Sequence, residues 1–357
     1  MVKLSLPHPI PITNPTSPFR NFNFMRPIKI VGSDTDLHDY QVRIHLDRSN
    51  FPLEKCKPDG SDIRFRDDSG EILPYWIERW NAAEGVIWCK IPFIPAESSK
   101  FIWMIYGNPN AKSESNGNAV FEMFDVQDIV GFWHFDEPQW TGITGEVKDE
   151  TGVNHGTAGG GATTTSDAKY GRAGYFDGED DYVDCGNDDS LSFGTDDFSI
   201  CLWFKTLDDS AYVLEKSVSD RSQYYHVGIT TAQIFFRIKD GTYVTSKAKT
   251  TINDNSWHFF CGIRRNGLLY AYLDGVDDSD SHPDASTKDV GTNSYLHIGK
   301  ISTGSSGFFS GIMDEVCIWE RALSPTEVQI LYNNYMQKMG SYFNVRKYVT
   351  PAPVVIV

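Results

Sequence analysis

The sequence is poor in positive charge and has no long apolar run. Its 32 lysines and arginines are outnumbered by 48 aspartates and glutamates, so the formal net charge is −16. A surface of that sign repels nucleic-acid phosphates and anionic lipids, and no local cluster of basic residues offsets it. A membrane-spanning helix needs about 20 consecutive apolar residues, which no segment provides. We therefore expect no nucleic-acid partner and no membrane span.

Short patterns of several enzyme classes are also missing. There is no H-E-x-x-H zinc motif and no G-x-S-x-G nucleophile turn, and the glycine-rich segment at 158–166 lacks the lysine of a phosphate-binding loop. The first 26 residues contain five prolines and no apolar segment of the kind found in secretory signal peptides. These absences argue against the commonest hydrolase and nucleotide chemistries and against export by a standard leader.

The six cysteines, at positions 56, 89, 185, 201, 261 and 317, form no C-x-x-C pair. Cys201, Cys261 and Cys317 each lie in an apolar, strand-like segment, where a small hydrophobic side chain would serve equally well. We expect all six to be unpaired thiols, which predicts folding in a reducing cytoplasm. The alternative is an exported protein whose free thiols are buried.

Aromatic residues and glycines are abundant. Aromatics make up 13% of the sequence and there are 30 glycines, a composition typical of many short strands joined by tight turns. A chain of 357 residues has room for two domains with separate cores. The fold class we expect is all-β, with two β-sandwich (jelly-roll) domains.

Proline content and residue alternation divide the chain into four parts. We expect residues 1–23 to form an extended, proline-rich N-terminal arm, because repeated prolines remove backbone donors and prevent a central strand. The alternative is a disordered terminus. Short alternating runs predict a first sandwich at 24–125 and a second at 127–335. Residues 336–357 form a C-terminal tail that either folds back on a sandwich or leaves as an arm.

Two local signals mark the end of the second sandwich. Apolar and polar residues alternate on both sides of Asn266-Gly267, a dipeptide that favours the type I′ turn of a hairpin. Further on, Ser324-Pro325-Thr326-Glu327 combines an N-cap, a proline at the first helical position and a capping-box glutamate. We expect a β-hairpin at 256–275 and one short helix after Ser324.

The segments around these signals resemble the concanavalin A-like laminin G domain. Its pattern is present in SWHFFCGIRRNGLLYAYLDG at 256–275 and GIMDEVCIWERALS at 311–324, and upstream in VGFWHFDE at 130–137 and YGRAGYFDGEDDY at 170–182. The matches follow the family's order across 127–335. The resemblance implies a concanavalin A-like sandwich for this part of the chain.

Residues 24–125 resemble a different family. The segments DYQVRIHL at 39–46, SDIRFRDDSGEILPYWIERW at 61–80 and MIYGNPNAKSESNG at 104–117 are similar to a domain of unknown function, DUF2341. That domain often precedes laminin G modules on archaeal and bacterial surface proteins. The resemblance implies a β-sandwich but no chemistry.

Glycoside hydrolases also use the concanavalin-like fold, and they need two carboxylates that flank the scissile bond. The acidic residues of the last motif are Asp314, Glu315 and Glu320. Because neighbouring residues of a strand point to opposite faces, Asp314 and Glu315 should not form such a pair. We expect no enzymatic activity and no catalytic residue.

The resemblance implies a structural calcium ion, since many laminin G-like sandwiches bind one. Calcium takes about six to eight oxygen ligands, which the carboxylates and carbonyls of acidic loops supply. The metal candidates are Asp136, Asp177 and Asp314, which the fold could bring together at the edge of the first and last strands. The alternative is that these carboxylates cap turns by accepting backbone N–H groups.

Tyrosines near the predicted loop ends of the second sandwich are the ligand-binding candidates. Sugar rings stack on aromatic faces, while carboxylates and amides bind their hydroxyls. The candidates are Tyr182, Tyr212, Tyr225 and Tyr243. Their partner would be a glycan or a surface protein.

Together, the two resemblances imply a non-catalytic surface-recognition or structural protein. The missing leader and the expected free thiols favour a virion component, a tail or capsid-decorating adhesin that self-assembles or docks onto neighbouring subunits through residues 1–22. The alternatives are a cell-surface or S-layer-associated protein, and a glycosidase or an enzyme's carbohydrate-binding accessory. In the first two readings the protein faces the outside of a virion or a cell.

Overall fold

A computed structural model describes residues 19–125, 128–304, 306–333, 335–339, 342–346 and 354–356. The chain divides into two compact units, residues 1–124 together with 334–357, and residues 125–333. The division near residue 125 coincides with the predicted boundary between the sandwiches. The predicted C-terminal tail, in contrast, groups with the first unit.

The first unit begins with seven strands and one helical turn in its described part. In chain order they are β1 (Phe24–Val31), β2 (Leu37–Asp47), β3 (Arg64–Asp67), β4 (Tyr75–Trp80), β5 (Glu84–Ile94), β6 (Ser99–Tyr106), α1 (Gly117–Val120) and β7 (Glu122–Asp125).

The second unit contains the next fifteen strands and one helix. They are β8 (Ile129–Trp133), β9 (Thr157–Gly159), β10 (Thr163–Thr165), β11 (Ala173–Asp177), β12 (Tyr182–Asp184), β13 (Phe198–Thr206), β14 (Ser210–Ser217), β15 (Gln223–Thr230), β16 (Gln233–Asp240), β17 (Thr242–Lys247), β18 (His258–Arg265), β19 (Leu268–Leu273), β20 (Val276–Asp277), β21 (Leu296–Ile298), β22 (Ser310–Trp319) and α2 (Pro325–Asn333). The chain then returns to the first unit with β23 (Tyr335–Met339), β24 (Tyr342–Arg346) and β25 (Val354–Ile356). The all-β expectation is confirmed.

The core of the first unit lies between two antiparallel sheets. One sheet has the order β25-β1-β6-β3 and the other the order β2-β5-β4, and a third sheet of the unit has the order β23-β24-β7. Ile28 of β1 and Ile102 of β6 are register partners and both are buried in the core. Val42 and Ile44 of β2 belong to the same core. Alternation along each strand produces this packing, because every second side chain faces inward.

Segments near both chain ends pack onto this unit. Phe19 and Phe22, from the predicted arm, are buried with Ile105 and Ala111. Residues 1–18 of that arm lie outside the described residues. At the other end, β25 pairs antiparallel with β1, so that Ile356 stands opposite Lys29 and forms part of the sheet. The end of the predicted tail is therefore the outermost strand of a sheet rather than a separate arm.

The second unit is a larger sandwich. An eight-stranded sheet has the order β10-β11-β22-β13-β18-β19-β20, with β8 also paired to β22, and a seven-stranded sheet has the order β17-β16-β15-β14-β21-β12-β9. Phe204 and Phe260 from the first sheet and Val227 and Phe236 from the second are fully buried in one core. The two-sandwich prediction is confirmed.

Both local signals at the end of this sandwich are confirmed. Asn266 and Gly267 have φ angles of 50° and 75° and connect β18 to β19. At the start of α2, the Ser324 N–H donates to Glu327 Oε2 at 2.7 Å, and the Glu327 N–H donates to Ser324 Oγ at 3.2 Å. In the described part of the chain, no helix is long and apolar enough to cross a membrane.

The expectation of six unpaired thiols is wrong for one pair. Cys201 of β13 and Cys261 of β18 are register partners with Cα atoms 4.2 Å apart, and they form a disulfide. They are 60 residues apart in sequence. Only the register of the sheet places them side by side, and for that reason their spacing did not predict the bond. The free cysteines are Cys56, Cys89, Cys185 and Cys317.

Candidate ligand-binding face of the second unit

The outer face of the seven-stranded sheet carries a continuous row of polar side chains. Alternation turns Val183, Val227 and Phe236 into the core, and therefore turns their neighbours in sequence outward. The strand register aligns one outward residue from each of six adjacent strands. In spatial order these residues are Asp184, His297, Glu215, His226, Arg237 and Thr245. We call this set the polar row.

Aromatic rings lie on both sides of the polar row. On one side are Tyr224 and Tyr243, which are both register partners of Lys239. On the other side, Phe235 is the register partner of Gly228. Gly228 leaves room for the ring of His226, because a Cβ atom at this position would lie 2.4 Å from Nε2 of His226. The face therefore combines charged groups with flanking rings.

Glu215, near the centre of the polar row, is bound by internal partners. Its side chain is fully buried and forms an ion pair with Arg221, with 2.6 Å between Oε2 and Nη2. The Ser302 N–H donates to its other carboxylate oxygen at 3.1 Å. Burial raises the pKa of Glu215, and the Arg221 guanidinium opposes that shift. Arg221 also donates to the Tyr212 hydroxyl at 2.9 Å, which ties an aromatic ring to the same network.

His226 is 3% exposed and packs between aromatic rings. Its ring is stacked on Tyr212 with centroids 4.7 Å apart and meets Phe235 edge to face at 5.0 Å. Neither ring nitrogen has a hydrogen-bond partner among the residues described. Burial lowers the pKa of His226 well below its ordinary value, and the nearby charges of Arg237 and Arg221 lower it further. His226 is therefore a neutral imidazole in the folded protein.

Arg237 is the next member of the row and is fixed in position. Its Nε donates to Thr245 Oγ1 at 2.8 Å. Its guanidinium carbon lies 4.5 Å from the ring centroid of Phe235 and 4.5 Å from that of Tyr243. The cation is thus held by two rings and by the hydroxyls of Thr245 and Tyr224.

Three of the four predicted ligand-binding tyrosines lie on this face. Tyr243 is 60% exposed, Tyr212 is half-buried beside His226, and Tyr182 carries the Lys300 ammonium 3.4 Å from its ring centroid. Tyr225 does not belong to the face. Its ring is fully buried in the core and its hydroxyl donates to the Leu191 carbonyl at 3.1 Å, so no ligand in solvent can stack on it.

Sequence reasoning missed the charged residues between these rings. His226 and Arg237 lie on different strands, and only the pairing of β15 with β16 makes them neighbours. The signal available in the sequence was the alternation within QYYHVGIT and QIFFRIKD, which assigns His226, Phe235 and Arg237 to the side opposite the core.

Asp314 and Glu315 lie on the eight-stranded sheet, where the alternation argument proves wrong. A register shift interrupts the pairing of β22 with β13 between Asp314 and Cys317, and Glu315 has a φ of 52°. Met313 and Val316, on either side of the acidic pair, both belong to the core. Both acidic side chains consequently lie on the outer face, because a β-bulge adds one residue to the alternation.

Both of these carboxylates are bonded to internal groups. Asp314 Oδ2 accepts the N–H groups of Lys169 and Tyr170 at 3.0 and 2.9 Å, and Glu315 Oε1 lies 2.6 Å from His134 Nδ1. Burial raises the pKa of Asp314 well above its ordinary value, and the charge of Glu315 adds to the shift. The pair is part of the internal structure of the sheet.

In the described chain, the three predicted metal ligands lie in two places. Asp136 Oδ1 accepts the Arg172 N–H at 2.7 Å, and Asp314 accepts N–H groups from the same turn. These two residues therefore cap one turn, which is the alternative that the sequence left open. Asp177 is grouped instead with Asp180 and Asp181.

The carboxylates of Asp177, Asp180 and Asp181 offer oxygens that all lie within 4.8 Å of one another. Asp181 is 1% exposed, its Oδ2 accepts the Asp177 N–H at 2.9 Å, and its Oδ1 has no hydrogen-bond partner among the described residues. Burial raises the pKa of Asp181, and the charges of Asp177 and Asp180 add to the shift. Close carboxylates of this kind repel one another unless a proton or a cation lies between them.

Comparison with known families confirms both resemblances in the expected order. Residues 59–141 match the domain of unknown function DUF2341, and residues 177–329 match the concanavalin A-like lectin/glucanases superfamily. No curated protein matches the chain. The second unit thus has a concanavalin A-like sandwich fold.

Several solved structures are similar to part of the chain. The binding domain of Paraclostridial Mosquitocidal Protein 1 is 17% identical, with 58% of this chain and 52% of that chain covered and a TM-score of 0.47. Domain 4 of AbnA, a GH43 extracellular arabinanase from Geobacillus stearothermophilus, in complex with arabinotriose, is 21% identical, with 57% and 98% covered and a TM-score of 0.47. The receptor binding domain of botulinum neurotoxin D is 14% identical, with 59% and 55% covered and a TM-score of 0.44. This chain spans little more than half of the length of the two toxin domains.

Proposed function

We propose that this chain is a non-catalytic recognition protein whose second unit binds a saccharide on the outer face of the seven-stranded sheet. The observation that carries the proposal is the position of Tyr182, Tyr212 and Tyr243 on one face, with the polar row between them. The apolar face of a sugar ring stacks on an aromatic ring, and its hydroxyls bind nearby charged groups. The face supplies both kinds of contact.

The carboxylates support a binding role rather than hydrolysis. A glycosidase needs one carboxylic acid and one carboxylate, both able to reach the substrate. In the described part of the binding face, Glu215 is fully buried and paired with Arg221. On the other sheet, Asp314 and Glu315 are bonded to backbone N–H groups and to His134. Neither site offers two free carboxylates.

We further propose that the protein acts on an outer surface, as a tail or capsid-decorating adhesin of a virion. A cell-surface or S-layer-associated protein is the second candidate, and the Cys201–Cys261 disulfide favours it, because such bonds persist in oxidising surroundings. Intact mass after alkylation without reductant separates the two settings. Four modified cysteines, after denaturation without reductant, support a chain that matures outside the cytoplasm, and six support assembly inside it.

We also propose that Asp177, Asp180 and Asp181 hold a structural calcium ion. A buried carboxylate oxygen without a donor, Oδ1 of Asp181, supports this assignment. The hard carboxylate oxygens of this group are the ligands that calcium prefers.

The saccharide proposal is tested with a glycan array and two tyrosine variants. Tyr243→Ala removes an exposed ring from the face and should weaken binding of the best array ligand by about tenfold, the equivalent of about 1.4 kcal/mol. Tyr175→Ala is the matched control, because Tyr175 is 43% exposed on β11 of the other sheet. Equal binding by wild type and Tyr243→Ala, or an equal loss in both variants, would place the ligand elsewhere.

A further inference from the structure

The outer face of the seven-stranded sheet has a charge opposite to that of the whole molecule. The chain has a net charge of −16, yet Arg221, Arg237, Lys239 and Lys300 are all on this face or at its edge. Of these, Arg221 is paired with Glu215, and Lys300 lies near Asp184 of the polar row. The remaining cations are concentrated beside aromatic rings.

Arg237 forms no ion pair with a carboxylate in the described part of the chain. Its row neighbour on one side is the neutral His226 and on the other side the Thr245 hydroxyl. The hydroxyl of Tyr224 also lies near Arg237, and it stays neutral because burial raises the pKa of Tyr224. The Arg237 guanidinium is half-buried and has no carboxylate partner among the described residues.

The geometry of Arg237 suits a planar anion. Its Nε donates to Thr245, its guanidinium also bonds the Tyr224 hydroxyl, and the rings of Phe235 and Tyr243 lie beside it. A guanidinium has five N–H donors, so others on its terminal nitrogens are left for a partner. A guanidinium fixed in this way offers two parallel N–H donors to the two oxygens of a carboxylate. Lys239, two residues along β16, projects from the same face and adds a second positive charge.

We propose that the saccharide bound by this face is acidic, and that Arg237 binds its carboxylate while Tyr243 contacts its ring. This inference rests on the proposed function, because it names the chemical class of the ligand for the same face. The ligand would be a sugar acid, such as a uronic or sialic acid residue within a glycan. Burying the carboxylate against Arg237 would neutralise the unpaired cation.

The test uses an array of neutral, carboxylated and sulfated glycans, followed by titration of the best ligand and of its carboxyl-reduced form. We expect carboxylated members to bind best, and we expect carboxyl reduction to weaken binding by at least about tenfold. Arg237→Gln should cause a similar loss for the acidic ligand and no further loss for the reduced one. Arg237→Lys should recover only part of the affinity, since a lysine cannot bind two oxygens in parallel.

Arg265→Gln is the matched control. Arg265 also lies over a tyrosine, 4.1 Å from the Tyr270 centroid, but it belongs to the eight-stranded sheet. Equal loss in Arg237→Gln and Arg265→Gln would overturn the assignment. Neutral ligands that depend on Tyr243 but not on Arg237 would also overturn it, while leaving the saccharide proposal intact.

Two further outcomes separate failure of the carboxylate assignment from failure of the proposed function. Preference for sulfated over carboxylated glycans, with full recovery in Arg237→Lys, would contradict the carboxylate geometry. Binding to no glycan in the array, or binding unaffected by Tyr243→Ala, would sink the proposed function itself. Melting curves of each variant establish that it is folded.

Discussion

At the residue scale, the burial of His226 is important for the charge of the binding face, because it keeps this histidine neutral. A buried imidazole whose nitrogens lack hydrogen-bond partners lowers stability, because those groups lose their bonds to water. Protonation would cost still more, since it would bring a third positive charge beside Arg221 and Arg237. The neutral ring therefore fills space between Tyr212 and Phe235 without competing for an anion.

We expect this histidine to make the second unit less stable in mild acid. The pKa of folded His226 lies well below its ordinary value of 6.5, so the unfolded chain takes up the proton first as the pH falls. Its contribution to the free energy of unfolding is complete above about pH 6.5 and decreases below it, by up to about 1.4 kcal/mol per pH unit. The charged or titratable groups facing it are Glu215, Arg221, Arg237, Tyr212 and Tyr224.

Urea unfolding of wild type and His226→Phe between pH 7.5 and pH 5 measures this effect. Phenylalanine fills the same space but does not titrate, so the variant should be comparatively more stable at the acidic end. Parallel curves for wild type and His226→Phe would show that His226 is not held neutral.

The acidic group at Asp177 gives a second prediction at this scale. Ten millimolar calcium should raise the melting temperature of the second unit by several degrees. Occupancy at about 100 times the dissociation constant stabilises a fold by about 2.7 kcal/mol. Asp181→Asn should abolish the calcium response, whereas Asp220→Asn, in an exposed turn of the same unit, should keep it. A wild-type melting curve that is the same in calcium and in chelator would refute the site.

At the element scale, β25 has only three residues but completes one sheet of the first unit. It covers the outer edge of β1, which would otherwise expose a row of unpaired backbone groups. Val355 also packs against the core of the first unit. The strand therefore contributes both hydrogen bonds and apolar contact to a sheet built mainly from residues near the other end of the sequence.

Deletion of residues 354–356 should destabilise the first unit by about 2 kcal/mol and promote self-association, because an open edge strand pairs with other chains. The second unit should keep its melting temperature. As a control, threonine at all three positions keeps a strand that covers the edge but removes its apolar contact, so that chain should lose stability and keep the association state of the wild type. Calorimetry and light scattering measure the two effects. A deleted chain that is monodisperse and melts normally would contradict the role given to β25.

At the scale of the whole molecule, the sequence predicted what depends on local periodicity. The two sandwiches, the turn at Asn266 and the capped helix after Ser324 follow from alternation and from turn and cap residues. Features that depend on strand register could not be obtained in this way. Cys201 meets Cys261, and His226 meets Arg237, only because particular strands pair in a particular register.

Asp314 and Glu315 show a second feature that local sequence patterns could not predict. A single inserted residue at Glu315 reverses which face a side chain takes, and no local pattern announces a bulge. The candidate tyrosines were chosen because they lie near predicted loop ends. Tyr225 was misplaced because composition cannot separate a core ring from a surface ring.

The return of the chain to the first unit determines when that unit can be finished during synthesis. A ribosome that adds about 5–20 residues per second makes β1 early and β25 only tens of seconds later. The whole intervening second unit can emerge and fold in that interval, while β1 waits without its outer neighbour. The first unit is then completed only after the second unit has been made, and until that time the edge of β1 is open to pairing with another chain.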